Sequence, residues 1–345
     1  MTPLPTPPGT VDVHTHAIAP GLPDLSRYAG RWPSVERTSA TEARILLDGA
    51  PYRVVDDRCW SAERRLADMD AEQVAVQLVS PIPVTLCHGE SADGAAVLAT
   101  AQNEFLAGLA AAGRGRLRPL GAVPLQDPAR AAEELVRCVR ELGFAGVEIG
   151  TRVGERELAD PAFDDFFAVA AEIGAVVLVH PVDQTIDPRV AGLALGFGLG
   201  MPAETGIAAA ALVTGRERTP GVRLCLAHAG GTLPAILPRL DRGAVLAGDP
   251  SRPATVRARE LWSDSLAYDE HSLRLAVTRF GAGHVVLGTD YPFAAREAPA
   301  GAVLAGLDDD LRRAIGRDNG LDLIAGAPAT DETGGGRWER SSASA

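Results

Sequence analysis

The 345-residue sequence contains no lysine: all 33 of its Lys/Arg-type cations are arginine. That absence excludes Schiff-base chemistry, and it excludes a carbamylated lysine bridging two metal ions. Any metal site in this chain is therefore expected to hold a single ion. Cysteine is scarce as well. The four that occur (Cys59, Cys87, Cys138 and Cys225) are scattered without a CxxC pair, which excludes a disulfide framework and suits a reduced cytoplasm. No run of 18 apolar residues occurs, so no transmembrane helix is expected. The first ten residues, MTPLPTPPGT, lack the basic-then-apolar pattern of a secretory signal. The net charge of −12 argues against nucleic acid, whose binding needs a basic face. An anionic substrate would need a local cationic site to override that field.

What is present is a regular alternation of strands and helices. Hydrophobic residues make up 46% of the chain, enough for a large core at this length. Short Val/Leu/Ile-rich runs predict strands over 11–16, 74–79, 120–125, 146–149, 176–180, 223–228, 261–266 and 284–288. Helical stretches fall between them over 61–73, 93–112, 128–142, 161–173, 202–213, 232–243, 269–280 and 298–316. Asp127 before Pro128 reads as a helix N-cap, and Gly143 and Gly174 as helix ends. Strands that are nearly continuously apolar suit a parallel sheet buried on both faces. Eight such β/α units predict a (β/α)8 TIM barrel over residues 11–326. A doubly wound open sheet is the competing fold, but no Gly-rich phosphate fingerprint follows the first strand. Residues 1–10 read as a loose arm and 327–345 as a disordered tail. Residues 18–59 break the rhythm and read as a small insertion over the barrel mouth, with a hairpin turning at Asp48-Gly49.

A barrel places its chemistry at the C-terminal ends of its strands. In Val11-Asp12-Val13-His14-Thr15-His16 the two-residue period sends both histidines to one side, where two imidazoles can grip one metal ion. An isolated HxH is more often just a pair of polar residues near a strand end. Here, however, His180 closes the fifth predicted strand, His228 the sixth, Asp264 the seventh and Asp290 the eighth. Several coincidences on one rim weigh against the bland reading. His88, His271 and His284 fall in a loop, a helix and a strand start, and read as structural or solvated.

The segments His14-Thr15-His16, Val179-His180-Pro181, Ala227-His228-Ala229-Gly230-Gly231 and Gly288-Thr289-Asp290-Tyr291-Pro292-Phe293 resemble signature segments of the decarboxylase branch of the amidohydrolase superfamily. Within that branch the chain is most similar to the 2-amino-3-carboxymuconate 6-semialdehyde decarboxylase family, over about residues 10–326. Met69-Asp70-Ala71, Val123-Pro124-Leu125-Gln126-Asp127 and Met201-Pro202-Ala203-Glu204-Thr205 belong to the resemblance too. The resemblance implies one Zn2+ held by His14, His16, His180 and Asp290, with His228 as the acid/base residue beside it. It also implies two arginines gripping substrate carboxylates, Arg53 and Arg239, the second donated across a homodimer interface. Guanidinium suits that task because it binds carboxylate bidentately and stays charged when desolvated. Phe293 would wall the pocket, and Phe197 would stand where relatives carry tryptophan. Val182 likewise replaces a tryptophan common after His-Pro, and these two smaller side chains leave the substrate's identity open.

The expected activity is zinc-dependent, non-oxidative decarboxylation of a small unsaturated, dicarboxylic substrate, with 2-amino-3-carboxymuconate 6-semialdehyde the leading candidate. Three alternatives remain. One is a decarboxylase of phenolic acids of the resorcylate type, which needs only one carboxylate clamp. Another is a hydrolase or hydratase using the same activated water. The third is a non-catalytic zinc barrel that acts as a scaffold.

Overall fold

The protein was analysed as a computed structural model, which describes residues 9–190, 192–215, 221–249 and 251–325. The expected tail over 327–345, and all but the last two residues of the expected arm over 1–10, lie outside the described residues.

Eight parallel strands, β1 (Thr10–Ala17), β2 (Val74–Pro81), β3 (Leu117–Gly121), β4 (Gly146–Gly150), β5 (Val176–His180), β6 (Arg223–Leu226), β7 (Trp262–Asp264) and β8 (Val285–Val286), pair in sequence order. Three backbone hydrogen bonds carry the sheet from the end of β8 back to β1. Val13 N–H donates to Leu287 O (2.8 Å), Asp290 N–H to His14 O (2.9 Å) and His16 N–H to Tyr291 O (2.7 Å). The result is the (β/α)8 barrel that the alternation implies. Helices α1 (Ala62–Ala71), α2 (Ala92–Ala112), α3 (Pro128–Val136), α4 (Asp164–Glu172), α5 (Met201–Thr214), α6 (Leu233–Ala247) and α7 (Glu270–Phe280) pack around it. The main core lies between strands and helices, where Val147, Ile149, Val177, Val179 and Leu226 meet Leu135, Phe166, Leu212 and Leu273. The apolar helical run Gly196–Thr214 is long enough by length and composition to cross a membrane, but half of it is buried inside the protein. That is how a barrel's packing helix reads.

Local chemistry explains where elements start. Ser61 Oγ accepts from Arg64 N–H (3.2 Å) and Asp127 Oδ1 from Arg130 N–H (3.2 Å), each capping a helix. The last three strands are shorter than the sequence reading, at Arg223–Leu226, Trp262–Asp264 and Val285–Val286, and two further differences have a local cause. The third strand is Leu117–Gly121, earlier than the predicted 120–125. Past Gly121 the side chain of Asn103 takes over: its Oδ1 accepts from Ala122 N–H (2.8 Å) and its Nδ2 donates to Ala122 O (2.9 Å). Ala122 thus needs no neighbouring strand. The predicted last helix, 298–316, is interrupted at Leu307 and Asp308: a short turn, Ala302–Gly306, precedes the break and an unbroken helical run over 309–324 follows it. Asp308 restarts the helix as an N-cap, accepting from Leu311 N–H at 3.0 Å.

Between β1 and α1 a three-stranded antiparallel sheet forms from Pro33–Arg37, Glu42–Leu47 and Ala50–Asp56. Its hairpin turns at Asp48 and Gly49, both at positive φ (53° and 75°), the geometry that matches strand twist in a two-residue loop. Ala43, Ile45, Leu47 and Val55 bury one side of this sheet against Ile18, Cys59, Ile82 and Val84 at the barrel rim. Tyr52 and Arg53 are thereby brought to the mouth of the barrel.

Candidate metal centre

His14 and His16 leave β1 on the same side, as the strand period requires, and both are fully buried. Their Nε2 atoms lie 3.1 Å apart. Asp290 Oδ1 approaches to 3.2 Å from His16 Nε2 and 3.6 Å from His14 Nε2. His180, at the end of β5, completes a group whose four ligand atoms all lie within 4.8 Å of one another. His180 Nε2 and Asp290 Oδ1 are buried and have no hydrogen-bond partner. Unpaired buried polar atoms are costly, and here they converge with two more imidazole nitrogens on one point. Three imidazoles and a carboxylate are a donor set for a single divalent ion. The residues present fit the group.

The ring nitrogens facing away from that point are held. His14 Nδ1 lies 2.6 Å from Asp264 Oδ2, His16 Nδ1 3.0 Å from Pro81 O, and His180 Nδ1 2.6 Å from Pro181 O. Each contact places the ring proton on Nδ1 and leaves Nε2 as the ligand atom. Burial works against charging His14, but the Asp264 carboxylate outweighs it and raises this imidazole to about 9. Burial lowers His16, and burial together with neighbouring His228 lowers His180 far below its ordinary value. A bound cation would displace the proton that the cluster otherwise shares.

His228 sits just past β6 on a left-handed backbone (φ 57°), as does Ala229 (φ 54°). Asp264 makes this turn possible. Its Oδ2 accepts from His228 N–H (2.9 Å), and its Oδ1 from Ala229 N–H (2.7 Å) and Leu266 N–H (3.0 Å). The His228 ring lies with its centroid 4.9 Å from that of His180 and 5.3 Å from that of His14. Its Nδ1 has no partner, and burial followed by the nearby His14 lowers its pKa to about 4. At neutral pH His228 is an uncharged base.

A cavity of about 890 Å³ opens above the cluster and is lined by His180, His228 and Asp290. Phe293 lines it too, its ring stacked on His16 with centroids 5.3 Å apart. Arg53 lies in the same cavity with its guanidinium 4.5 Å from the Phe293 ring centroid. Phe197 lines the outer part, half-exposed, with its ring 5.9 Å from that of Tyr268. Arg239 is not among these groups. It is exposed on α6 and borders a separate depression with Val213, Ile236 and Ala247. Within one chain, Arg53 reaches the cavity and Arg239 does not.

Two buried acids acquire roles that the sequence reading did not assign. In the sequence Asp264 is only a strand-end carboxylate, yet it orients both His14 and the His228 turn. Glu148, on β4, is fully buried 3.8 Å from His16 Nδ1, with no hydrogen-bond partner for either oxygen. Burial pushes its carboxyl far above the ordinary range. A glutamate inside the apolar run Gly-Val-Glu-Ile was the available signal. Of the other histidines, His88 is buried, His271 is exposed, and His284 stacks on Trp262 at 4.5 Å.

The model of the family described as Amidohydrolase matches residues 11–324. The chain belongs to the amidohydrolase family. This amidohydrolase is 31% identical over 309 residues to the 2-amino-3-carboxymuconate-6-semialdehyde decarboxylase of Dictyostelium discoideum, covering 87% of this chain and 86% of the relative. It is 27% identical to a gamma-resorcylate decarboxylase of Polaromonas, over 75% of this chain and 87% of the relative. Among solved structures it resembles a Polaromonas dihydroxybenzoic acid decarboxylase with bound manganese and 2-nitroresorcinol, at a TM-score of 0.71 and 21% identity. That likeness covers 92% of this chain and 97% of the other, and at such identity it speaks for the fold.

Proposed function

We propose that this amidohydrolase, a metal-dependent decarboxylase, removes CO2 without oxidation from a small unsaturated dicarboxylic acid of the 2-amino-3-carboxymuconate 6-semialdehyde type. The observation that supports this best is that His180 and Asp290 of the four-residue ligand cluster, neutral His228 and the cation Arg53 line one cavity. We take the ion to be Zn2+, held by His14, His16, His180 and Asp290, a set rich in the imidazole that suits zinc. When bound, it supplies a Lewis acid for substrate oxygens and lowers the pKa of water.

The chain's own residues account for the rest. Arg53 holds a substrate carboxylate at the mouth, and Phe293 walls the path between it and His16. As the bond to the departing carboxylate breaks, its electron pair stays on carbon, CO2 leaves, and that carbon takes up one proton. His228, uncharged at neutral pH and facing the cavity, relays that proton. The second carboxylate is assigned to Arg239 of a second copy in a homodimer on the strength of the family resemblance; in its own chain Arg239 borders a different depression.

That same placement favours a second reading. One chain supplies one arginine beside Phe293, which is what a phenolic monocarboxylate of the resorcylate type requires. CO2 release from aminocarboxymuconate semialdehyde and from 2,6-dihydroxybenzoate, measured on metal-loaded protein, decides between them. Turnover of the first, lost in both Arg53→Ala and Arg239→Ala, is expected. Turnover only of the second, with Arg239→Ala fully active, would select the phenolic reading. No CO2 from either would move the reaction to hydrolysis or hydration. His228→Ala should lower turnover by about 100- to 10,000-fold with metal content unchanged.

A further inference from the structure

Beside Arg53 stands a carboxylate that a simple anion clamp would not tolerate. Asp183 opens the turn after β5, three residues beyond the ligand His180, and lines the same cavity. Its Oδ2 accepts a hydrogen bond from the Tyr52 hydroxyl. The same Oδ2 lies 3.8 Å from Arg53 Nη2, and both side chains are about one-third exposed. Oδ1 takes no hydrogen bond from the described residues. Burial, and then the neighbouring Asp183 charge, push the Tyr52 phenol well above its ordinary range, so Tyr52 stays protonated and remains a donor.

The other cation of the cavity cannot relieve this arrangement. Arg58 is already occupied by Asp56, with Nε–Oδ1 2.9 Å, Nε–Oδ2 3.0 Å and Nη2–Oδ2 2.6 Å. A substrate carboxylate seated on Arg53 therefore arrives next to the carboxylate of Asp183. Like charges at that spacing repel. The conflict is removed when the substrate itself places an N–H or O–H against the free Oδ1, since an ionised carboxylate only accepts. Recognition then requires a pair of groups, a carboxylate for Arg53 and an adjacent donor for Asp183. An acid without the donor is rejected by the unrelieved repulsion.

We propose that Asp183, held in place by Tyr52, is a specificity-determining residue that accepts a hydrogen bond from an amino or hydroxyl group beside the carboxylate bound by Arg53, on the carbon that bears it or on the next one. The substrate class is thus an acid with such a donor next to the carboxylate it keeps, an inference that rests on Arg53 acting as the carboxylate clamp of the proposed decarboxylase.

The test is calorimetric binding of two isosteric, unreactive acids to the full-length, metal-loaded protein: 2-aminobenzoate, which has the donor, and 2-methylbenzoate, which has a methyl in its place. The wild-type protein should bind the amino acid roughly tenfold more tightly, the scale of one charge-assisted hydrogen bond. Asp183→Asn, which retains the size and a partner for Tyr52, should shrink that preference to about twofold without weakening 2-methylbenzoate. Arg53→Ala should abolish binding of both. Equal wild-type affinities, or a preference that survives in Asp183→Asn, would overturn the Asp183 assignment and leave Arg53 standing. Failure of either acid to bind, or binding indifferent to Arg53→Ala, would overturn the clamp and the Asp183 assignment together.

Discussion

At the scale of single residues, the centre is built as much by Asp264 as by the side chains that face the cavity. One carboxylate fixes the His14 ring through Nδ1 and gathers three backbone N–H groups from 228, 229 and 266. Burial opposes its charge, yet His14 and these donors hold Asp264 below the ordinary carboxylate range. Asp264→Asn should therefore weaken metal binding by about 10- to 100-fold, the usual cost of losing an outer partner of a ligating histidine. Competition against a chelator of known affinity reads that loss directly. An unchanged metal affinity would reduce Asp264 to a support for the His228 turn.

At the scale of elements, the insertion and the barrel are pinned to one another by a buried arginine. Arg65, on α1, has no exposed surface. Its Nη1 donates to His16 O (2.7 Å) and to Arg58 O (3.1 Å), its Nη2 to Thr15 Oγ1 (2.8 Å) and its Nε to Gln77 Oε1 (3.2 Å). Its guanidinium also stacks on Tyr291, 4.8 Å from the ring centroid. Helix α1, strands β1 and β2, the insertion's end and the segment after β8 thus meet on one side chain. Arg65→Met leaves several buried acceptors unpaired and should destabilise the fold by about 3–5 kcal/mol, read as a lower urea midpoint. A loss under about 1 kcal/mol would mean that water replaces the guanidinium. The insertion's hairpin was legible because Asp48-Gly49 is a strong local turn signal, whereas Pro33–Arg37 offered no signal and appears only as a pairing partner.

For the whole molecule, stability is tied to pH through acids buried away from the cavity. Glu297 follows β8, is 6% exposed, and has an unpaired Oε2, while its Oε1 accepts from Val303 N–H at 3.3 Å. Burial raises its pKa from the ordinary 4.5 to about 7. The folded state thus binds this proton more tightly than the unfolded chain does. Its contribution is full below about pH 4.5 and is lost as pH rises through about 7. Glu297→Gln, which keeps the neutral shape, should raise the unfolding temperature at pH 8 and change it little at pH 4.5. An equal effect at both values would mean that the carboxyl is not neutral in the fold.

The sequence by itself determined the barrel, because eight apolar strands separated by helices leave few other ways to bury both faces of a parallel sheet. It also determined which residues reach the rim, since His14, His16, His180, His228 and Asp290 each stand at or just beyond a strand end. Tertiary structure decided what those residues do together. Partners separated by 250 residues, such as His14 and Asp264, meet only when the sheet closes. Only folding shows that Arg53 enters the cavity while Arg239 faces away, or that Asp183 sits beside Arg53. Such pairings depend on loop paths and crossings between distant elements, which no local periodicity encodes.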